Sequence, residues 1–154
     1  MPRFEVTTLV TAPPPVVFDA SLSVDVHTSS FAHTGERAVA GVTSGRLALG
    51  DRVTWRARHF GLTWHLTSAI SACTRPTYFV DEQVSGPFRR WHHAHTFEAA
   101  HDGTATLMTD VVDFAAPLPP LGTLAEILIL KRYLTRLILL RNAHIQEVTR
   151  PPAA

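Results

Sequence analysis

Between residues 79 and 114, three strand-like runs put acids and histidines on the same faces as the aromatic and aliphatic anchors of a core. One alternate set in the first run is Phe79, Asp81 and Gln83. In the second it is Trp91, His93, His95 and Phe97, and in the third Met108, Asp110, Val112 and Phe114. Strand side chains alternate faces, so whatever buries Phe79, Phe97 and Phe114 also buries ionisable groups. Such burial is costly unless the groups are paired or used. The pattern therefore requires a sheet that faces a cavity rather than a dry core.

Loop positions set the expected register. A turn centred on Gly86 to Phe88 places Asp81 opposite His93 or His95, and a loop near Asp102 and Gly103 places His95 opposite Asp110. The expectation is one lateral row, Asp81, His95 and Asp110, with His93 one pleat away. His59 falls on the same concave face farther along the sheet. Carboxylates beside a histidine favour its charged form while burial opposes it, and an oriented histidine is a serviceable general acid/base near neutral pH. Two other readings of the row stand beside catalysis. It could be a satisfied buried network that fixes register, or, with His59, a metal site with nitrogen and oxygen ligands.

The chain of 154 residues is one domain in size, read as residues 1–150 with a tail at 151–154. A net charge of +1 gives no electrostatic case for nucleic acid or an anionic membrane. Cys73 is the sole cysteine and Lys131 the sole lysine, so no intrachain disulfide can form and Schiff-base chemistry would have to use Lys131. No glycine-rich phosphate loop and no nucleophile elbow is present. The opening residues read as a strand without the apolar core of a signal peptide, and charges interrupt the apolar stretch at 124–140. A cytoplasmic location is expected.

The element order follows from alternation and turn residues. A strand at Phe4 to Thr11 precedes two short helices, at Val16 to Leu22 and Asp25 to Ala32. Strands follow at Glu36 to Val42, Arg52 to Phe60, Leu62 to Cys73, Tyr78 to Ser85, Trp91 to Glu98 and Thr104 to Phe114. Trp55 and His59 share the inner face of one strand; Leu62, Trp64, Leu66, Ser68 and Ile70 share that of the next. Pro117, Pro119 and Pro120 stop the sheet, and one long helix runs from Leu121 to about Val148. Its cavity-facing stripe is Leu124, Ile127, Leu130 or Lys131, Leu134, Ile138, Arg141 and Ile145. The further apolar positions Leu128, Leu137, Leu139 and Leu140 suggest in part a flank of the sheet rim and in part a homodimer contact.

This order resembles the α+β helix-grip fold of the Bet v 1-like, START-like and polyketide cyclase/dehydrase superfamily, in which a seven-stranded curved antiparallel sheet wraps a long C-terminal helix. The resemblance spans the chain. It is carried by Thr11-Ala12-Pro13-Pro14-Pro15-Val16-Val17-Phe18-Asp19, by Gly50 to Gly61, by Phe79-Val80-Asp81-Glu82, by Gly86-Pro87-Phe88 and by the Pro117 to Gly122 lead-in. It implies a pocket for a hydrophobic small molecule and places His27 and Ser30 near the cavity mouth. The bacterial cyclase-like branch implies acid/base cyclisation or dehydration without a redox cofactor. The candidate catalytic residues are His95, Asp81 and Asp110. The candidate substrate contacts are His59, His93, Trp55, Trp64, Gln83, Arg141 and His27, with no resident metal or other cofactor. A non-catalytic carrier or sensor of a hydrophobic ligand is the alternative.

Overall fold

The alternating runs pair into one antiparallel sheet. A computed structural model describes residues 2–116 and 124–153. The expected stop at Pro117, Pro119 and Pro120 and the expected helix start at Leu121 fall outside them. The elements are β1 (Arg3–Val10), α1 (Pro14–Ser21), α2 (Val24–Ser30), a 3-10 turn at Ala32–Thr34, β2 (Arg37–Gly41), β3 (Arg52–His59), β4 (Leu62–Thr74), β5 (Tyr78–Ser85), β6 (Arg90–Ala100), β7 (Ala105–Ala115) and α3 (Leu124–Val148). Strand order is β1-β7-β6-β5-β4-β3-β2. The sheet curves around α3 in the helix-grip arrangement.

Local chemistry fixes the ends of these elements. Prolines open α1, where a missing backbone N–H costs nothing. Ser23 caps α2 by accepting from the Val26 N–H at 3.2 Å. Phe60 and Gly61 join β3 to β4 with φ of 53° and 74°, the paired positive values of a tight hairpin. That turn lifts Phe60 and Leu62 into solvent, at 65% and 59% exposure. Leu62 therefore leaves the inner face that alternation assigns it, because it sits at the hairpin tip.

Of the three apolar clusters in the interior, two include residues of α3. One joins Val10, Phe79, Phe97, Met108 and Ile145; the other joins Val6, Val112, Phe114, Leu134 and Ile138. On β1, β6, β7 and α3 the residues that separate them are polar: Thr8, then His93 and His95, then Asp110, then Arg141 and Asn142. A polar layer thus crosses the core between two apolar ones.

The helix stripe starts later than its spacing suggests. Leu134, Ile138, Arg141 and Ile145 are buried, whereas Leu124 is 74% exposed. Beneath the first half of α3 lies a cavity instead of packed side chains, lined there by Leu130, Tyr133 and Leu137. Among the described residues no helix is long and apolar enough to cross a membrane.

Gly41 ends β2 with φ of 73°, and a Cβ there would come within 2.2 Å of the Arg52 carbonyl oxygen. Gly41→Ala is expected to lower unfolding free energy by about 2–3 kcal/mol, measured by urea denaturation. An unchanged midpoint would mean that the β2–β3 edge yields at no cost.

Candidate functional site

The polar layer is built by register. Asp81 on β5 pairs with His93 on β6, and His95 pairs with Asp110 on β7. Side-chain contacts run along the diagonals as well. His95 Nε2 lies 2.7 Å from Asp81 Oδ2, and His93 Nε2 lies 2.8 Å from Asp110 Oδ1. His95 Nδ1 is 3.0 Å from Asp110 Oδ1, while His93 Nδ1 is 3.6 Å from Asp81 Oδ2. The two imidazoles stack with centroids 3.8 Å apart, and Phe79 stacks on His95 at 4.0 Å.

Helix α3 closes the layer. Arg141 Nη1 donates to Asp110 Oδ1 at 3.2 Å, and Asn142 Nδ2 donates to Asp110 Oδ2 at 2.7 Å. Asn142 also reaches Thr8 Oγ1 at 3.1 Å, tying in β1. Asp110 has no exposure, so its partners replace water entirely. Burial raises its pKa, but Arg141 and the hydrogen bonds from His93 and His95 outweigh that and hold it well below the usual carboxylate range. Asp81 is likewise held low against burial, by His93, the bond from His95, and Arg141. For His93, burial and the neighbouring His95 push the pKa down, against the pull of both carboxylates. Two carboxylates face one guanidinium here, so one further proton on the imidazole pair brings the group to neutrality.

This layer forms one wall of a cavity of about 510 Å³, a size that suits a small-molecule ligand. His93, His95, Asp81 and Arg141 line it, as do Trp55, Trp64, His59 and His27. Asp81 offers the most exposed side chain of the layer, at 22% against 2% for His95. Asp110 stands behind the histidines and orients them. Gln83 does another job: its amide donates to the Phe88 carbonyl at 2.7 Å and accepts from the Phe88 N–H at 3.1 Å, closing the β5–β6 turn.

Several polar residues in or behind the cavity wall lie outside the alternating row of acids and histidines. Asn142 adjoins Arg141 on the helix and escapes the stripe. Tyr133 sits among the cations of α3, yet its hydroxyl is 2.5 Å from His59 Nδ1. Trp64 holds the same strand end by donating its indole N–H to the His59 carbonyl at 2.9 Å. Glu36 precedes β2 and lies 2.9 Å from His27 Nε2. His27 in turn stacks on Trp55 at 4.1 Å.

A divalent ion has one set of candidate ligands among the described residues. Asp81, His93 and His95 offer atoms within 4.8 Å of one another, a nitrogen and oxygen set. His59 stands outside that set.

Solved structures share the architecture. A protein from Thermus thermophilus aligns over 97% of this chain and 100% of its own, at TM-score 0.74 and 15% identity. The Zhui aromatase/cyclase from Streptomyces sp. R1128 aligns over 96% and 93%, at TM-score 0.72 and 15% identity. The fold is that of the Bet v 1-like and START-like proteins. A START superfamily protein from Mycobacterium smegmatis aligns over 96% and 99%, at TM-score 0.70 and 12% identity. No family model matches the sequence, and no curated protein matches it.

The layer's electrostatics set its response to substitution and to pH. Asp110→Ala takes from Arg141 the carboxylate it is hydrogen-bonded to, leaving Asp81 farther off, and is expected to cost about 3–5 kcal/mol of stability, read from the urea midpoint. The second expectation concerns pH. His93 binds protons less readily folded than unfolded, so stability is full above about pH 7 and falls as pH drops through the ordinary histidine range near 6.5. Asp81 and Asp110 add a further loss below about pH 4, where the unfolded carboxylates protonate first. His93→Asn should flatten the slope between pH 7 and pH 5; an unchanged slope would assign it to other groups.

Proposed function

We propose that the cavity binds a hydrophobic small molecule of polyketide-like character and that the Asp81–His95 pair moves a proton on it. One observation carries this reading: a hydrogen-bonded carboxylate–imidazole pair at 2.7 Å in the wall of an apolar cavity. His95 takes up and returns the proton, Asp81 holds its ring at the cavity face as an ionised carboxylate, and Asp110 fixes the ring from behind. Trp55, Trp64 and His93 shape the wall, and His27, His59 and Arg141 supply polar anchors.

The chemistry that fits is proton transfer next to a carbonyl. The pair removes a proton from the carbon beside a ketone, and Arg141 steadies the charge that passes to oxygen. The enolate carbon then attacks a second carbonyl in the same molecule, whose oxygen takes the proton back, and a ring closes. Loss of the resulting hydroxyl together with a proton from the adjacent carbon releases water and forms a carbon–carbon double bond, which completes a dehydration. No electrons are gained or lost, so the reaction needs no redox cofactor. The aromatase/cyclase of the same fold supports this choice of reaction. We place this activity in the cytoplasm, in a single domain.

A non-catalytic carrier is the second reading, favoured by the way Asp110 already satisfies its own hydrogen bonds. A homodimer through the exposed Leu128, Leu139 and Leu140 of α3 is compatible with either reading. Sedimentation velocity showing a concentration-independent monomer removes it.

The two readings separate in one experiment. Exchange of the α-protons of 2-tetralone in D2O, followed by NMR, should accelerate in the presence of the protein. His95→Ala should slow that exchange at least about 100-fold while leaving the affinity for 2-tetralone within about threefold. Binding without accelerated exchange in the wild-type protein would leave the carrier reading standing.

A further inference from the structure

The cavity has a second polar end that proton transfer does not use. His59 lies on β3, two strands from Asp81 on β5, and Glu36 immediately precedes β2, one strand farther out. Three inter-strand spacings separate Glu36 from the Asp81 strand, roughly 14 Å along the sheet and less across its curve. Both residues line the cavity.

Glu36 is unusual among the described acids. Its side chain is 10% exposed, with His27 Nε2 2.9 Å from Oε2 as an ion-pair neighbour. That oxygen is nonetheless buried and accepts no hydrogen bond among the described residues. His27 is held against Trp55 by stacking, and the His59 ring is engaged by Tyr133. A largely buried carboxylate with one imidazole nitrogen close by and no aligned hydrogen bond is incompletely satisfied, a state that a water, an ion or a ligand group ordinarily completes. The Glu36 side chain borders apolar space large enough for a ligand.

We infer that Glu36 recognises a hydrogen-bond-donating substituent, a hydroxyl or an amine, on the end of the ligand remote from Asp81 and His95. The inference rests on the pocket reading above and narrows its substrate class. The ligand is an elongated, largely apolar molecule with a carbonyl at one end and a donor group at the other. An apolar body between two polar ends fixes which end meets the Asp81–His95 pair, so Glu36 sets the direction of binding and leaves the proton transfer to that pair.

Three fused-ring probes test this by fluorescence titration: phenanthrene, 9-phenanthrol and 9-aminophenanthrene. The wild-type protein should bind at least one of the two substituted probes about tenfold more tightly than phenanthrene, as expected for a donor meeting a buried charged acceptor. Glu36→Leu should bring that ratio to about one while phenanthrene affinity stays level or rises. Glu36→Gln, which keeps the shape and loses the charge, should reduce the ratio at least about threefold and serves if the leucine variant fails to fold. Which substituted probe is preferred tells hydroxyl from amine. A preference absent in the wild type, or unchanged in the folded Glu36 variants, overturns the role of Glu36 while phenanthrene binding keeps the pocket. Failure of all three probes to bind overturns the pocket reading and this inference together.

Discussion

The structure turns on one fully buried carboxylate. Asp110 has no exposure, and a charge so placed is tolerable only if every face of it is answered. The answers come from separate parts of the chain: His93 and His95 from β6, Arg141 and Asn142 from α3. Asn142 extends the connection to Thr8 on β1. The same bonds that satisfy the charge also dock the long helix on the sheet in one register. Apolar contacts alone would leave that register less defined, since Leu134, Ile138 and Ile145 could slide over a surface of similar residues.

The polar layer also organises the space around it. Apolar clusters above and below exclude water, which strengthens each contact inside the layer. At the layer's open side the packing stops and the cavity begins, so Asp81 belongs to the network and to the ligand space at once. His95 is held by stacking on Phe79 and by carboxylates near both ring nitrogens, which fixes its orientation before any ligand arrives. Preorganisation of this kind is what a proton-transferring pair requires.

Much of this could be read from the residues because short connections leave strands little freedom. Gly86-Pro87 and Asp102-Gly103 bound the runs closely enough that counting places His95 opposite Asp110, as found. The same counting left Asp81 between two partners, and the sheet resolves it to His93 in register with a diagonal bond to His95. Counting fails where tertiary contacts decide. Gln83 has the right parity for the inner face, but the backbone of the β5–β6 turn needs its amide more. Leu124 has the right helical spacing and yet stays in solvent. Glu36, Tyr133 and Asn142 belong to no repeating pattern; each gains its place only when the sheet edge and the helix come together.

The distribution of polar bonds along α3 separates two tasks within a single helix. Four of its attachments lie near the C-terminal end: Arg141 and Asn142 to the layer, His144 to Ser29 on α2 at 2.9 Å, and Gln146 to the Thr11 backbone at 3.0 Å, while Tyr133 in the earlier half meets His59. Its earlier residues Ile129, Leu130, Tyr133 and Leu137 face the ligand space. Substitutions in that earlier half can reshape the interior without loosening the joint that holds the helix. A chain built in this way can change the shape of the space it encloses while its frame, and the acid–histidine layer mounted on it, stays fixed.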